Sequence, residues 1–308
     1  MFGRFRRKEA IPIVLFAIGI LLLFAYQLTR SGTDFVKESF QDSPNYSAES
    51  PVVIGGERPA EVFLPTNYSQ ESSVPLLIDL HGYTGDSISQ SAYTFLQVAA
   101  DQRGVAYVAP NGMKDSSGSG YWNATDACCN FGGSKVSDVD YIKSLIEEIT
   151  SKVSIDQSRI YLFGHSNGHF MSYKFVCSTE SIVTAIAGLA GAMDSEPQAC
   201  NKKPMNILHI HGTSDATISY EGGAILGNSY PSVKETVAQW ASINSCTSPR
   251  EVDLELLSSM QGIETSQISY TCSDKSLELW RINGGVHVPI LDKDFALRTL
   301  DWLLSHRK

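Results

Sequence analysis

Along this chain, short apolar runs alternate with stretches in which apolar positions recur every three or four residues. Residues 74–80 (Val-Pro-Leu-Leu-Ile-Asp-Leu) and 105–109 (Val-Ala-Tyr-Val-Ala) are almost continuously apolar and end at turn formers, the pattern of strands buried on both faces. Residues 91–103 predict a helix between them. Residues 138–153 predict another, with Val139, Ile142, Leu145, Ile146 and Ile149 on one face and Ser137 or Asp138 as its cap. A strand at 160–163, a helix at 168–177 and strands at 183–189 and 206–210 follow. Ser232-Val-Lys-Glu235 is a capping box that opens a helix to Ile243; 277–282 is the last predicted strand and 292–304 the closing helix. No internal repeat interrupts the series. Such alternation predicts an α/β fold: a mostly parallel sheet with helices on both faces and its working groups at the carboxyl ends of the strands.

The first fifty residues break this pattern. Residues 11–26 carry no charge and follow Arg4, Arg6, Arg7 and Lys8. At about 1.5 Å per residue they nearly cross a hydrocarbon core of about 30 Å. The expected order is a basic cytoplasmic flank at 1–10, a transmembrane signal-anchor at 11–28, a polar linker at 29–50 and one α/β domain at 51–308. A cleaved signal peptide is the competing reading, although Tyr26-Gln-Leu-Thr-Arg30 offers no small-x-small cleavage site. Either reading sends the domain out of the cytoplasm, membrane-anchored or secreted.

Composition agrees with one exported domain. The 308 residues are 43% hydrophobic and 19% charged, enough apolar content for a large core. The net charge of -9 argues against nucleic acid as a partner. Six cysteines, Cys128, Cys129, Cys177, Cys200, Cys246 and Cys272, favour disulfides in an oxidising compartment. Cys246 and Cys272, the last two in order and the ends of one inserted-looking loop, form the first expected pair; the other four are left unassigned. No cysteine spacing reads as a zinc motif. Asn45, Asn67 and Asn123 each begin an Asn-x-Ser/Thr sequon.

The candidate chemistry centres on Gly164-His-Ser-Asn-Gly168, which follows the 160–163 strand directly. A serine on so tight a strand-to-helix turn needs small neighbours, and the motif reads as a nucleophile elbow with Ser166 exposed above a sheet. A serine hydroxyl needs a base to take its proton, and a carboxylate to hold that base in one tautomer. In the chain order Ser, acid, His, the acid is expected beyond a later strand. His211-Gly-Thr-Ser-Asp215 places Asp215 there, with Asp194 after the preceding strand as the alternative. Only His287 and His306 lie downstream of Asp215, and His306 sits in the polar tail, which leaves His287, in a flexible glycine-rich loop after the last strand. An oxyanion needs two fixed N–H donors: Asn167, after the nucleophile, and Tyr83 in Leu80-His-Gly-Tyr-Thr-Gly85, with Gly82 as the neighbouring alternative.

These pieces, together with Ala109-Pro-Asn-Gly, Tyr121-Trp-Asn, Cys128-Cys129, His209-Ile-His-Gly-Thr-Ser-Asp215 and Gly284-Gly-Val-His-Val-Pro289, resemble the esterase family of polyhydroxybutyrate depolymerases and feruloyl or acetylxylan esterases. The resemblance covers about residues 51–304. It implies an α/β-hydrolase fold and a serine-dependent carboxylic ester hydrolase acting on a small or polymeric ester without a cofactor. By it, Ser166, Asp215 and His287 are nucleophile, acid and base, in agreement with chain order. His169 stands where the family usually has a second glycine, and Val288 where it commonly has Trp.

Other readings compete at particular residues. A peptidase uses the same triad, and a non-catalytic surface binding protein can occupy the same fold. His209 and His211 share one strand face and with Asp215 admit a metal-site reading, but no further ligand follows at a helpful spacing, so no metal is expected. Trp122 either lines a substrate pocket or covers the core beside Cys128 and Cys129. His165 and His169 are expected to play structural parts, and Asp138 and Asp140 to serve the helix start.

Overall fold

Strand β3 (Val74–Leu80) is buried almost from end to end, as its apolar run requires, and lies near the middle of the sheet. The computed structural model describes residues 52–180, 182–195, 200 and 203–308. The expected flank, anchor and linker at 1–50, and the Asn45 sequon, lie outside the described residues. Among those described, no helix is long and apolar enough to cross a membrane.

In chain order the strands are β1 (Val52–Ile54), β2 (Ala60–Phe63), β3, β4 (Ala106–Val108), β5 (Met113–Lys114), β6 (Gly120–Tyr121), β7 (Ile155–His165), β8 (Ala185–Leu189), β9 (Asn206–Gly212), β10 (Gly223–Ile225), β11 (Asn228–Tyr230), β12 (Pro249–Leu254), β13 (Thr265–Tyr270) and β14 (Leu277–Ile282). Ten of them form one sheet in the order β1-β2-β4-β3-β7-β8-β9-β14-β13-β12. From β4 to β14 neighbours pair in parallel. Each edge carries an antiparallel wing, β1–β2 on β4 and β13–β12 on β14. These wings were not expected from the sequence. Strands β1 and β2 are short, β12 is largely exposed and β13 is mostly polar in sequence, so none carries the buried apolar run that marks β3. The pairs β5–β6 and β10–β11 stand apart as small hairpins.

Helices cover both faces, as expected. Helices α1 (Ser87–Thr94) and α2 (Leu96–Gln102) replace the single helix expected at 91–103; Phe95 between them has φ 56°, a left-handed conformation that breaks the helix. Helix α2 and α6 (Lys293–Leu304) bring Leu96, Ala99, Phe295 and Leu300 against Leu77, Tyr161, Phe163 and Ala187. Neighbouring strand residues point the opposite way, toward α3 (Asp138–Lys152), α4 (Asn167–Ser178) and α5 (Val233–Ile243). Helix α5 opens with the expected capping box of Ser232 and Glu235. At α3 the cap is Ser137, whose side chain accepts from the Asp140 N–H. Asp138 turns inward instead, 2.6 Å from Arg58 and accepting from the Asn123 N–H at 2.7 Å.

The expected Cys246–Cys272 disulfide is present, at the root of the β12–β13 hairpin rather than around an irregular insertion. The remaining cysteines pair as Cys128–Cys129 and Cys177–Cys200. Of the two described sequons, Asn67 is exposed. The Asn123 amide is occupied, donating to the Val136 carbonyl and accepting from Asn130.

Asp79 on β3 is a buried carboxyl that ties α1 to the sheet. It accepts from Gln90 at 2.6 Å, Thr94 at 2.8 Å and Tyr107 at 2.9 Å. Burial pushes its pKa from 3.8 up to about 6, against the hydrogen bonds, because these neutral donors replace bulk water incompletely. The folded state therefore holds this proton more tightly than the unfolded chain. Its contribution to stability is largest below pH 3.8 and is lost as pH rises through about 6. Urea unfolding at several pH values between 4 and 6.5 should show that Asp79→Asn removes a downward slope present in the parent protein; identical slopes would exclude this carboxyl as its source.

Candidate active site

Strand β7 runs into helix α4 through Ser166, which has φ 52° and ψ -118°, outside the regions comfortable for a non-glycine residue. The turn holds because backbones meet there with no room for side chains. A Cβ on Gly168 would lie 2.0 Å from the Leu80 carbonyl oxygen, and one on Gly164 would lie 2.3 Å from the Gly168 carbonyl. This is the strained strand-to-helix turn expected from the motif.

The three residues singled out by chain order come together. His287 Nε2 lies 3.0 Å from Ser166 Oγ, and His287 Nδ1 lies 2.8 Å from Asp215 Oδ2. Asp215 Oδ1 accepts the backbone N–H groups of Thr217 and Ile218, both at 2.8 Å. Burial alone would raise the Asp215 pKa, but hydrogen bonds from His211 and His287 outweigh it and hold the carboxyl well below its usual range. With Asp215 ionised, Nδ1 of His287 donates and Nε2 is left to accept from the serine hydroxyl. Neither Asp194 nor His306 shares in these bonds; the His306 ring bonds the Trp302 carbonyl.

The 283–289 segment is less free than its glycines suggest. The Gly284 N–H donates to Thr213 Oγ1, the Ser214 N–H donates to the Gly285 carbonyl, and Tyr93 donates to the Pro289 carbonyl. His165 Nε2 donates to the His287 carbonyl at 3.2 Å; burial, then the charge of His287, depress the His165 pKa to about 3, so the ring acts as a neutral brace.

Tyr83 follows β3, and its hydroxyl donates to Asp115 at 2.7 Å. The next two amides are engaged, Thr84 N–H with the Gly120 carbonyl and Gly85 N–H with the Gly82 carbonyl, whereas the Gly82 N–H has no backbone acceptor among the described residues. The Tyr83 N–H has no such acceptor among the described residues, and the Asn167 N–H, first in its helix, has no intrahelical one. A Cβ at Gly82 would lie 3.4 Å from Ser166 Cβ, so this backbone borders Ser166.

Trp122 is completely buried and offers no surface to a pocket; its indole N–H donates to the His81 carbonyl at 3.0 Å. Its backbone grips the Asn167 side chain in both directions, N–H to Oδ1 at 2.6 Å and Nδ2 to carbonyl at 3.1 Å. His81 donates from Nδ1 to the Gly82 carbonyl and accepts the Gly112 N–H at Nε2. Sequence reasoning gave Asn167 a backbone role and missed its side chain. The Ser-Asn-Gly triplet carries no mark of a partner 45 residues away.

His169, in place of a second glycine, fits because Gly188 and Gly191 leave space; a Cβ on Gly188 would lie 2.2 Å from its ring. Neither His169 ring nitrogen has a hydrogen-bond partner among the described residues. His209 and His211 bond each other and their neighbours, and no group of three or more candidate metal ligands occurs among the described residues.

Residues 60–260 match the family described as esterase PHB depolymerase. Feruloyl esterase B of Piromyces equi is 28% identical over 195 residues, 60% of this chain and 35% of that protein. The putative esterase NocK of Nocardia uniformis subsp. tsuyamanensis is 24% identical over 227 residues, 69% of this chain and 64% of that protein. The chain thus spans about a third of the first relative and just under two thirds of the second. The fold is similar to the acetyl xylan esterase from Aspergillus awamori, with TM-score 0.59 and 16% identity over 82% of this chain and 98% of that one. It is also similar to a Bacillus cereus carboxylesterase, with TM-score 0.55 and 12% identity over 80% and 93%. These likenesses show an α/β-hydrolase fold.

The Asn167–Trp122 grip predicts a measurable stability effect. Asn167→Ala leaves the buried Trp122 N–H unpaired and removes one of the two hydrogen bonds to the Trp122 carbonyl, which keeps the Ala124 N–H, and should lower unfolding free energy by about 1–3 kcal/mol in urea titrations. An unchanged midpoint would show that the grip does not stabilise the fold.

Proposed function

The chain belongs to the esterase PHB depolymerase family, and on that premise we propose that it is a serine-dependent carboxylic ester hydrolase. The observation that carries this reading is the unbroken series Ser166 Oγ, His287, Asp215, at 3.0 and 2.8 Å. Ser166 attacks the ester carbonyl carbon while His287 Nε2 takes its proton. The oxygen of the tetrahedral intermediate accepts from the backbone N–H groups of Asn167 and Tyr83. On collapse, His287 gives the proton to the departing alkoxide, leaving the acyl group on Ser166. Water, activated by the same ring, attacks the acyl-enzyme and frees the acid. Asp215 stays ionised throughout and holds the ring. No step calls for a cofactor.

The relatives' names make feruloyl and acetyl esters the first substrates to test. Three disulfides support a working place outside the reducing cytoplasm.

The chain from residue 31 onward should hydrolyse short activated esters, and a panel of feruloyl, acetyl and hydroxybutyrate esters with peptides as comparison will rank its substrates. Ser166→Ala should lower kcat by roughly 10⁴-fold or more, with a chelator leaving the parent rate unchanged. Full activity in Ser166→Ala would refute the mechanism, and chelator sensitivity would redirect attention to His209 and His211.

A further inference from the structure

Behind Asp215 lies a second set of buried polar groups that ester hydrolysis as described does not use. His209 and His211 sit two residues apart on β9, almost fully buried, with ring centroids 5.4 Å apart and planes 13° from parallel. Contacts run through them in series. Tyr173 Oη lies 2.8 Å from His209 Nδ1, and His209 Nε2 lies 3.2 Å from His211 Nδ1. His211 Nε2 lies 2.8 Å from the Ile218 carbonyl and 3.3 Å from Asp215 Oδ2.

The acceptors determine where each proton sits. A carbonyl only accepts, so His211 Nε2 carries hydrogen. In a neutral ring His211 Nδ1 then accepts, which puts a hydrogen on His209 Nε2. His209 Nδ1 in turn accepts from the Tyr173 hydroxyl. A cationic His209 or His211 would make His209 Nδ1 a donor and leave the Tyr173 hydroxyl hydrogen without an acceptor in the series. Burial, reinforced by the charges of His169 and His211, keeps His209 from protonating. Every donor in the neutral series therefore points toward Asp215, and aligned hydrogen bonds polarise one another in the same sense.

We propose that Tyr173, His209 and His211 form a positioning chain that orients Asp215 and sets the basicity of His287. The inference rests on the ester hydrolase reading above. Oδ1 of Asp215 is held by two backbone donors, so only Oδ2 is shared between the two imidazoles. Charge drawn toward His211 is charge withheld from His287. Fixing His211 in the Nε2–H tautomer also prevents a nitrogen lone pair from facing the carboxylate. The other titratable groups facing Asp215 are His165, Tyr93 and Tyr230, and none of them belongs to the series.

The least disruptive test is Tyr173→Phe, which keeps the ring stacked between His169 and Trp240 and removes one oxygen. Its kcat should fall roughly three- to tenfold with KM little changed. The acid limb of kcat/KM should move to higher pH, because more of the Asp215 charge is left for His287. The low-field proton NMR signal of the His287–Asp215 hydrogen bond should shift. Tyr161→Phe, which removes a hydroxyl bonded to the His306 carbonyl, should change none of these. His211→Phe should lose more activity than Tyr173→Phe, and His211→Gln, which keeps an N–H donor, should recover part of it. If Ser166→Ala is inactive while folded Tyr173→Phe retains parental kcat, acid limb and low-field signal, the positioning chain is refuted; Tyr173→Phe decides alone if His211→Phe does not fold. Activity in Ser166→Ala would instead refute the ester hydrolase reading.

Discussion

The closeness of helix α4 to strand β3 is the constraint on which the rest of the site depends. With only 2.0 Å between a Cβ built on Gly168 and the Leu80 carbonyl oxygen, no side chain fits at that crossing. The helix can start there only if the chain leaves β7 abruptly, and Ser166 takes up that change at φ 52°. Backbone strain of this kind is stable when its surroundings over-determine it. Here the Asn167–Trp122 grip fixes the first helical residue, and the Trp122 indole fixes the loop after β3. Ser166 and the proposed oxyanion donors therefore rest on one connected frame.

Two buried carboxyls show how partners decide ionisation. Asp79 receives donors from Gln90, Thr94 and Tyr107, all neutral, and burial prevails. Asp215 receives two backbone amides and two imidazoles, and the hydrogen bonds prevail. Four converging donors, two of them fixed backbone amides, outweigh burial at Asp215 where three side-chain donors at Asp79 do not. One carboxyl thus serves as a structural tie while the other is kept as an anion beside His287.

Much of this was legible in the sequence because periodicity and chain order constrain it. The apolar runs at β3, β7, β8, β9 and β14 marked the central sheet, and the glycines around Ser166 marked the turn. Chain order left His287 and Asp215 as the residues that now bond each other. The antiparallel wings were not legible, since strands β1, β2 and β12 carry mostly mixed or exposed positions and lack the continuous apolar run that marks the central strands. Trp122 was ambiguous for a related reason: an aromatic in a glycine-rich loop fits a pocket wall or a buried strut, and only its bonds to His81 and Asn167 separate the two. The Cys128–Cys129 pairing escaped because pairing by order gives no reason to join adjacent residues. His287 looked free on its glycine loop, but Thr213, Tyr93 and His165 brace it.

Strand β12 closes the sheet with nearly every residue exposed, and an open edge of unpaired backbone groups is a template on which a second chain can add. Its sequence works against that. Pro249 lacks an amide hydrogen, and Arg250, Glu251 and Asp253 place charges along the exposed ribbon. Arg281 on β14 reaches across to Glu251 at 2.6 Å and binds part of that charge to the native register. These features disfavour edge-to-edge addition of a second chain, and the Cys246–Cys272 bond at the hairpin's root limits how far the ribbon can peel away to present fresh backbone to a neighbour.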